Sequence, residues 1–271
     1  MQRHATVRPR LFAGLCLALA LPLLAQAPAI PSGQAIPGIK IDGNGDDWPP
    51  AKRVLDAKSG AEFAFRNDAR NLYVLFAVRS PKAIESVAST GLTVRTGNRG
   101  VLFLKRTVAT EAYVSWRESQ GELLTDEEKA ELGGSARHDL CLTFAVGAKG
   151  SVSGPLRRLA ESEPPELGVS EGAGSTVYEL KIPLAPPETV PGGLGVAPGS
   201  TFRISFEWGG TARKILSTPA SRQTPPSEAG GLYGVATPAQ HFLNMFDSMS
   251  RPTTGTKRYS FAFDLTLVKA P

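Results

Sequence analysis

Three oxygen-bearing side chains occupy every second position of a short turn near the start of the chain, at Asp42, Asn44 and Asp46. Alternate positions of a loop can turn carboxylate and amide oxygens toward one ion, so these residues are a candidate calcium site. The twelfth position counted from Asp42 is Arg53 instead of a glutamate, which excludes an EF-hand. The same residues also fit a simple turn, in which Asp and Asn side chains bind their own backbone. Both interpretations remain open.

Four aromatic side chains are candidates for stacking on a sugar, because that contact needs a flat ring open to solvent. Two of them lie in a long irregular stretch, residues 209–257, and such stretches often display binding residues. Their alternative role is to fasten this stretch to the rest of the protein. The four candidates are Trp116, Trp208, Tyr233 and Phe242.

The two tryptophans among these candidates each have a competing structural explanation. Trp208 continues the alternation of Phe202 and Phe206, which predicts a buried ring as the alternative to ligand contact. Trp116 ends a predicted strand over residues 111–117, where its ring could be exposed. On such a strand Tyr113 points to the opposite face, so these two rings are not expected to form one platform.

Catalytic machinery is not expected. The chain has no H-E-x-x-H motif and no P-loop, and we expect no nucleophile elbow. Only His138 and His241 remain once the first residues are set aside. Cys141 could act as a nucleophile, but a small buried residue is the competing interpretation. The prediction is a protein that is not an enzyme.

The first 27 residues have the features of a secretory signal peptide. Three arginines precede an apolar run at residues 11–24, and Ala25-Gln26-Ala27 matches the small-x-small cleavage pattern. The alternative is an uncleaved anchor, but the run is short for a full membrane span. The expectation is an exported protein, periplasmic or extracellular in a bacterium, with no membrane span after cleavage.

Charge and cysteine content narrow the function classes further. Removing residues 1–27 removes three arginines and no acid, which lowers the net charge from +5 to +2. No Lys/Arg-rich run alternates with aromatic residues, so nucleic-acid binding is not expected. Cys141 is then the one remaining cysteine, so the exported chain can form no internal disulfide.

Period-two alternation predicts an all-β fold, a two-sheet antiparallel β-sandwich of jelly-roll or immunoglobulin-like type. We expect one or two short helices in its loops, one of them beginning at Thr125 with a capping box to Glu128. Residues 28–38 are predicted as a short exposed leader and 39–271 as one domain with an insertion at 209–257. Residues 147–174 are predicted to be mostly loop. The predicted strands span 62–66, 71–79, 92–95, 101–106, 111–117, 138–146, 176–182, 201–208 and 259–268.

Three phrases occur in order along the chain. They are Ile41-Asp42-Gly43 with Asp47-Trp48, Asn71-Leu72-Tyr73-Val74-Leu75-Phe76-Ala77-Val78, and Tyr178-Glu179-Leu180-Lys181-Ile182-Pro183-Leu184. In this order they resemble the "IDGxxDDW" opening, the "NLYVxFxV" strand and the "YExxIPL" strand of the family 9 carbohydrate-binding modules and the wider DOMON-like group of β-sandwiches. This resemblance, over roughly residues 39–268, implies a sandwich fold and sugar binding by an aromatic clamp, and in some members structural calcium. No clamp position can be matched here.

The same resemblance raises haem, which some DOMON-like relatives bind through Met and His. His241, Met245 and Met249 would share one helical face and cannot approach an iron from opposite sides, so haem is not expected. No cofactor is expected, although calcium is possible at Asp42, Asn44 and Asp46. The predicted function is exported, non-catalytic binding of a glycan or another surface polymer. The alternative is a structural module that docks to an envelope protein.

Overall fold

Two β-sheets packed face to face form the body of the molecule, which confirms the predicted sandwich. The predicted signal peptide lies outside the described residues, as do Tyr233, Phe242 and the three residues considered for haem. The structure, a computed structural model, describes residues 29–34, 39–48, 52–156, 163–172, 174–211, 215–216 and 255–269.

The described residues form fourteen strands, three α-helices and one 3-10 helix at Gly45–Asp47. The helices are α1 (Pro81–Thr90), α2 (Thr110–Ser119) and α3 (Asp126–Gly133). The strands are β1 (Ile30–Pro31), β2 (Gly33–Gln34), β3 (Val54–Asp56), β4 (Ala61–Asn67), β5 (Asn71–Val78), β6 (Leu92–Thr96), β7 (Arg99–Ala109), β8 (Arg137–Val146), β9 (Val152–Pro155), β10 (Glu166–Gly172), β11 (Ser175–Pro183), β12 (Thr201–Gly210), β13 (Ile215–Leu216) and β14 (Thr256–Thr266).

The two sheets differ in size. The larger sheet has eight strands in the order β1-β14-β12-β6-β7-β8-β9-β13. The smaller sheet has the order β10-β11-β5-β4-β2, with β3 also paired to β4. Most pairs are antiparallel, as predicted, but β1/β14, β2/β4 and β9/β13 are parallel. Each of these exceptions involves a two-residue strand, so the antiparallel core is unaffected.

Residues 29–34 take part in both sheets, although the sequence predicts an exposed leader over 28–38. Strand β1 joins the larger sheet, β2 joins the smaller one, and Ser32 between them is buried. The Ser32 hydroxyl donates to Asn67 Oδ1 at 2.5 Å and accepts from the Val268 amide at 3.1 Å. The segment therefore ties the edges of the two sheets together.

Aromatic rings fill the space between the sheets. The ring of Phe63 lies 5.1 Å from that of Phe76 in the same sheet and 4.8 Å from that of Phe206 in the larger sheet. The ring of Trp208 lies 5.1 Å from Phe76 and 5.3 Å from Tyr259. All these residues stand at alternate positions of their strands, so the period-two pattern identifies the core correctly.

Strand β5 is buried on both faces, as its apolar sequence predicts. Val74 and Phe76 point into the space between the sheets, while Leu75 points to the outer face of the smaller sheet and is only 3% exposed. The cover over Leu75 includes Trp48, which is 7% exposed. Trp48 therefore has the packing role predicted for it, on the outside of the smaller sheet.

The helices are partly as predicted. The capping box of α3 is present, because Thr125 Oγ1 accepts from the Glu128 amide and Glu128 Oε2 accepts from the Thr125 amide. Helix α1, which begins at Pro81, was not predicted. The predicted strand over 111–117 is wrong, since these residues lie in α2. Within the described part of the chain, no helix has both the length and the apolar character that a bilayer span requires.

Residues 147–174, which are predicted to be mostly loop, contain two strands. They contribute β9 to the larger sheet and the seven-residue β10 to the smaller one. Strand β10 pairs residue by residue with β11 from Glu166↔Lys181 to Gly172↔Ser175. Because β10 contains glycines and charged residues, its sequence does not show the alternation of apolar and polar residues that predicts a strand. This strand nevertheless forms one side of the site described next.

Candidate functional site

The outer face of the smaller sheet is crossed by the opening segment, residues 39–48, which carries the first of the three phrases. Its anchor is Glu179 of β11, whose side chain is fully buried. Glu179 Oε1 accepts from Trp48 Nε1 at 2.6 Å. Glu179 Oε2 accepts from the amides of Gly43 at 2.8 Å and Asp42 at 3.1 Å. One carboxylate therefore joins the first phrase to the third.

Two glycines let the opening segment lie directly on the sheet. Gly43 has φ of +86°, and a Cβ atom there would stand 2.4 Å from the backbone carbon of Val169. A Cβ atom on Gly168 would stand 2.6 Å from the backbone of Ile41. Neither position has room for a side chain, and Gly43 also adopts a backbone conformation that favours glycine. The close approach lets backbone amides of the segment reach Glu179.

The predicted calcium residues form the hydrogen bonds of a turn. Asp42 Oδ1 accepts from the Asn44 amide at 2.8 Å, and Asn44 Oδ1 accepts from the Asp46 amide at 3.2 Å. These are the contacts of the simple turn that the sequence left open. Within the described residues, no group of three or more His, Cys, Asp or Glu side chains is arranged to hold a metal ion. Calcium binding by Asp42, Asn44 and Asp46 stays a prediction.

Beside the opening segment, four polar side chains form a line across the outer face of the smaller sheet. The strand register places Glu166 of β10 opposite Lys181 of β11, Lys181 opposite Tyr73 of β5, and Tyr73 opposite Arg66 of β4. Residues directly opposite on neighbouring strands share a face, so the four side chains are neighbours. We refer to Glu166, Lys181, Tyr73 and Arg66 as the polar row.

Tyr73 is the aromatic member of the polar row, and its hydroxyl is held in place. It donates to Asp68 Oδ2 at 2.8 Å, while Asp68 Oδ1 accepts from the amides of Arg70 and Asn71, each at 2.7 Å. Burial, followed by the hydrogen bond to Asp68 and its charge, raises the pKa of Tyr73 to about 12. Lys181 and a hydrogen bond from the Asn71 side chain act in the opposite direction. Tyr73 is therefore a protonated donor at neutral pH.

An open pocket of about 760 Å³ lies at the end of the sandwich next to the polar row. We refer to it as the end pocket. The β4–β5 turn and the connection after β11 form it, and its size is typical of sites for small molecules. Its polar side chains are Arg70, Asn71 and Glu163. Its other lining residues are Ala69, Pro183, Leu184, Ala185, Pro186, Val190, Gly195, Val196, Ala197 and Pro198.

Two pairs of neighbouring side chains join the end pocket to the polar row. Glu163, which lines the pocket, forms an ion pair with Lys181 Nζ, and the same Nζ lies 3.0 Å from Glu166 Oε1. Asn71, which also lines the pocket, lies two residues from Tyr73 on the same face of β5, and its side chain lowers the pKa of Tyr73. The end pocket and the polar row therefore form one continuous surface. The apolar residues lie in the pocket, and the hydrogen-bonding side chains lie along the row.

The aromatic candidates from the sequence lie elsewhere. Trp208 is 2% exposed and packs between Phe76 and Tyr259, so neither face of its ring is open to a ligand. Trp116 lies in α2, on the outer face of the larger sheet, and its indole nitrogen is buried. Tyr233 and Phe242 lie outside the described residues. None of the described candidates reaches the end pocket.

Helix α2 also corrects the expected relation between Tyr113 and Trp116. The strand prediction placed their rings on opposite faces, but residues three apart on a helix are neighbours. Their ring centroids lie 6.2 Å apart, and Tyr113 also stacks on His138 at 4.7 Å. Both rings pack against the apolar cluster on the outer face of β7 and β8. The contact covers this sheet face.

Two groups with nucleophilic character have surroundings that do not activate them. The sequence spacing of a nucleophile elbow, G-x-S-x-G, does occur at residues Gly168 to Gly172, although no elbow is expected. Ser170 nevertheless stands in a regularly paired strand and not at the strand-to-helix turn that an elbow requires. Burial raises the pKa of Cys141 to about 11, so its side chain is a neutral thiol at physiological pH.

Comparison with known proteins gives one kind of similarity. No protein-family model matches the chain, and no curated protein matches it. Among solved structures, the chain is similar to a family 9 carbohydrate-binding module from Caldicellulosiruptor kristjanssonii in complex with glucose, at 14% identity and a TM-score of 0.32, over 67% of this chain and 78% of that one. The complex with cellotriose gives the same identity and TM-score, with 76% of that chain covered. These structures represent the family that the three sequence phrases resemble.

Proposed function

We propose that the protein is an exported, non-catalytic binding protein whose ligand is a glycan, held by the end pocket and the polar row. The observation that carries this proposal is the continuity of the two surfaces. Apolar walls that include Leu184 and Val196 lead directly to Asn71, Tyr73 and Lys181. A sugar presents the matching chemistry, with apolar C–H faces and hydroxyl edges.

The hydrogen-bonding groups at this surface include donors and acceptors. The Asn71 amide offers both, Lys181 is a donor, and Glu163 and Glu166 are acceptors. A sugar hydroxyl donates and accepts at once, so a mixed surface suits it better than a surface of one kind.

The contacts already present among these side chains favour binding. Asp68 holds Tyr73, and two glutamates hold Lys181, before any ligand arrives. Fixing a flexible side chain on binding costs about 0.5–1.5 kcal/mol, and here part of that cost is met on folding. The surface is therefore formed in advance for a ligand that lies along it.

The test is a binding screen followed by titration calorimetry. Neutral and acidic oligosaccharides, including cellotriose, are screened first, and the affinity of the best ligand is then measured for Asn71→Ala. We expect about tenfold weaker binding, the effect of losing one hydrogen bond of about 1.4 kcal/mol. Gln120→Ala is the matched control, because it also removes a side-chain amide but lies at the end of α2 on the other sheet.

Two results would overturn the proposal. A glycan that binds with equal affinity to Asn71→Ala, Lys181→Met and the unchanged protein would place the site elsewhere. If no glycan in the screen binds and an envelope protein co-purifies in stoichiometric amount, the alternative function, a structural module that docks to an envelope protein, would be favoured.

A further inference from the structure

One charged side chain of the end pocket, that of Arg70, forms no ion pair with any residue that the structure describes. The pocket's charged lining residues, among those described, are Arg70 and Glu163. Glu163 is paired with Lys181. The guanidinium of Arg70 makes no hydrogen bond or ion pair with the described residues, and it is the backbone amide of Arg70 that donates to Asp68 Oδ1. Among the described residues of the pocket, the positive charge of Arg70 is therefore not neutralised by an ion pair.

The nearest acid in sequence, Asp68, forms no ion pair with the Arg70 guanidinium. Asp68 uses Oδ1 for two backbone amides and Oδ2 for the Tyr73 hydroxyl. Lys181, the cation of the polar row that is joined to the pocket through Glu163, already pairs with two carboxylates. The charge of Lys181 is thus neutralised by ion pairs, whereas that of Arg70 at the pocket mouth is paired with none of the described residues.

We infer that the glycan bound here carries an anionic group, a carboxylate or a sulfate ester, that pairs with Arg70. This inference rests on the proposed function and names the class of sugar. A guanidinium presents two parallel N–H donors, which match the two oxygens of a carboxylate or sulfate. Arg70 lies beside apolar lining residues of the pocket, so its guanidinium and the apolar face of a sugar could be contacted by one ligand. A neutral sugar would leave this charge unused.

The experiment compares three trisaccharide probes by titration calorimetry in 50 mM NaCl. The first is trigalacturonic acid, the second is the same trisaccharide after reduction of its carboxyl groups, and the third is a sulfated galactose trisaccharide. Each is measured with the unchanged protein, with Arg70→Gln and with Lys58→Gln. Lys58 is an exposed cation in the β3–β4 turn, at the opposite end of β4 from Arg70, so it controls for net charge.

We expect at least one anionic probe to bind about tenfold more tightly than the reduced, neutral probe. Arg70→Gln should abolish this preference, and Lys58→Gln should keep it. Raising NaCl to 500 mM should weaken the anionic probe and leave the neutral one unchanged. Which of the two anionic probes shows the preference distinguishes a carboxylate ligand from a sulfate ligand.

Failure of the inference is distinguishable from failure of the proposed function. Equal affinity for charged and neutral probes, with Asn71→Ala weakening both, would overturn the anionic class and keep the glycan site. A preference that survives in Arg70→Gln would overturn the role of Arg70. If no glycan in the wider screen binds, both the inference and the proposed function fail. Arg70 is exposed and its side chain forms no hydrogen bond or ion pair among the described residues, so its substitution should leave the fold intact.

Discussion

Replacing Glu179 by glutamine tests whether one buried carboxylate holds the opening segment against the smaller sheet. The substitution keeps the size of the side chain and removes its charge. It also turns one acceptor atom into a donor that faces existing N–H groups. The donors affected are Trp48 Nε1 and the backbone amide of Gly43, both buried, and the partly buried amide of Asp42.

The expected cost follows from these three bonds. A hydrogen bond to a charged group contributes about 1.5–3 kcal/mol, so the two buried bonds together contribute about 3–6 kcal/mol. The glutamine oxygen still accepts one of them, and the uncharged side chain is less costly to bury. The net loss in the free energy of unfolding is therefore about 3 kcal/mol. For a domain of this size that corresponds to a fall in Tm of about 9 °C.

The assay is urea unfolding followed by circular dichroism, with a double-mutant cycle. Trp48→Phe keeps an aromatic ring and removes the indole donor, so its effect should be smaller when Glu179 is already glutamine. We expect a coupling energy of at least about 1 kcal/mol between the two positions. Glu85→Gln is the control, since this exposed glutamate on α1 should change stability by less than about 0.5 kcal/mol.

Two outcomes would refute this reasoning about Glu179. One is a loss of stability no larger than that of the Glu85→Gln control. The other is strict additivity of Glu179→Gln and Trp48→Phe, because residues that share a hydrogen bond should not act independently. Either result would mean that packing of Trp48, without the carboxylate, fixes the opening segment.

Three further predictions concern single residues around this face and in the core. Tyr73→Phe should cost about 1 kcal/mol at pH 8 through the lost bond to Asp68. This difference should shrink as the pH rises from about 10, where an unfolded tyrosine ionises, toward the folded pKa of about 12, and a constant difference in urea unfolding would contradict it. Gly168→Ala should cost about 3 kcal/mol, because the new Cβ atom would meet the backbone of Ile41, and an unchanged urea midpoint would count against that contact. Cys141 should react slowly with iodoacetamide at pH 8 and faster as the pH approaches about 11, and fast labelling of the folded protein at pH 8 would show that the thiol is not buried as described.

The sandwich could be predicted because its strands obey a local rule. Phe63, Phe76 and Phe206 stand at alternate positions, and alternation alone sends them to one face of a strand. Trp48 could be assigned a packing role from its place in the opening phrase. These inferences need only neighbouring residues, which is why a single sequence suffices for them.

The sequence of helix α2 contains a helical signal beside the weak alternation that predicts a strand over 111–117. Ala112, Tyr113 and Trp116 all pack on the outer face of the larger sheet, and their spacing is that of one helical face. Helix α1 had its own signal as well. It begins at Pro81, a favoured first residue, and is followed by Gly91, a favoured cap.

The binding surface depends on contacts that no local pattern reveals. Glu179 occupies an outward position of its strand, so alternation predicts that it faces solvent. It is buried because the opening segment, about 136 residues earlier in the chain, lies over it. The polar row likewise exists only through the register of four strands, which places Tyr73 beside Lys181 and Arg66. The sequence favours tryptophans as ligand-binding residues, whereas the structure brings together one tyrosine and several charged side chains at this surface.

The central claim is that a glycan binds along the end pocket and the polar row, and the location of binding tests it most directly. The measurement is a ¹H–¹⁵N correlation spectrum of the protein titrated with the best ligand from the oligosaccharide screen. If the glycan binds along this surface, the largest shifts fall on the amides of Arg70, Asn71, Tyr73 and Lys181, and on the connection at residues 183–198. Shifts concentrated on α2 around Trp116, with this surface unchanged, would contradict it.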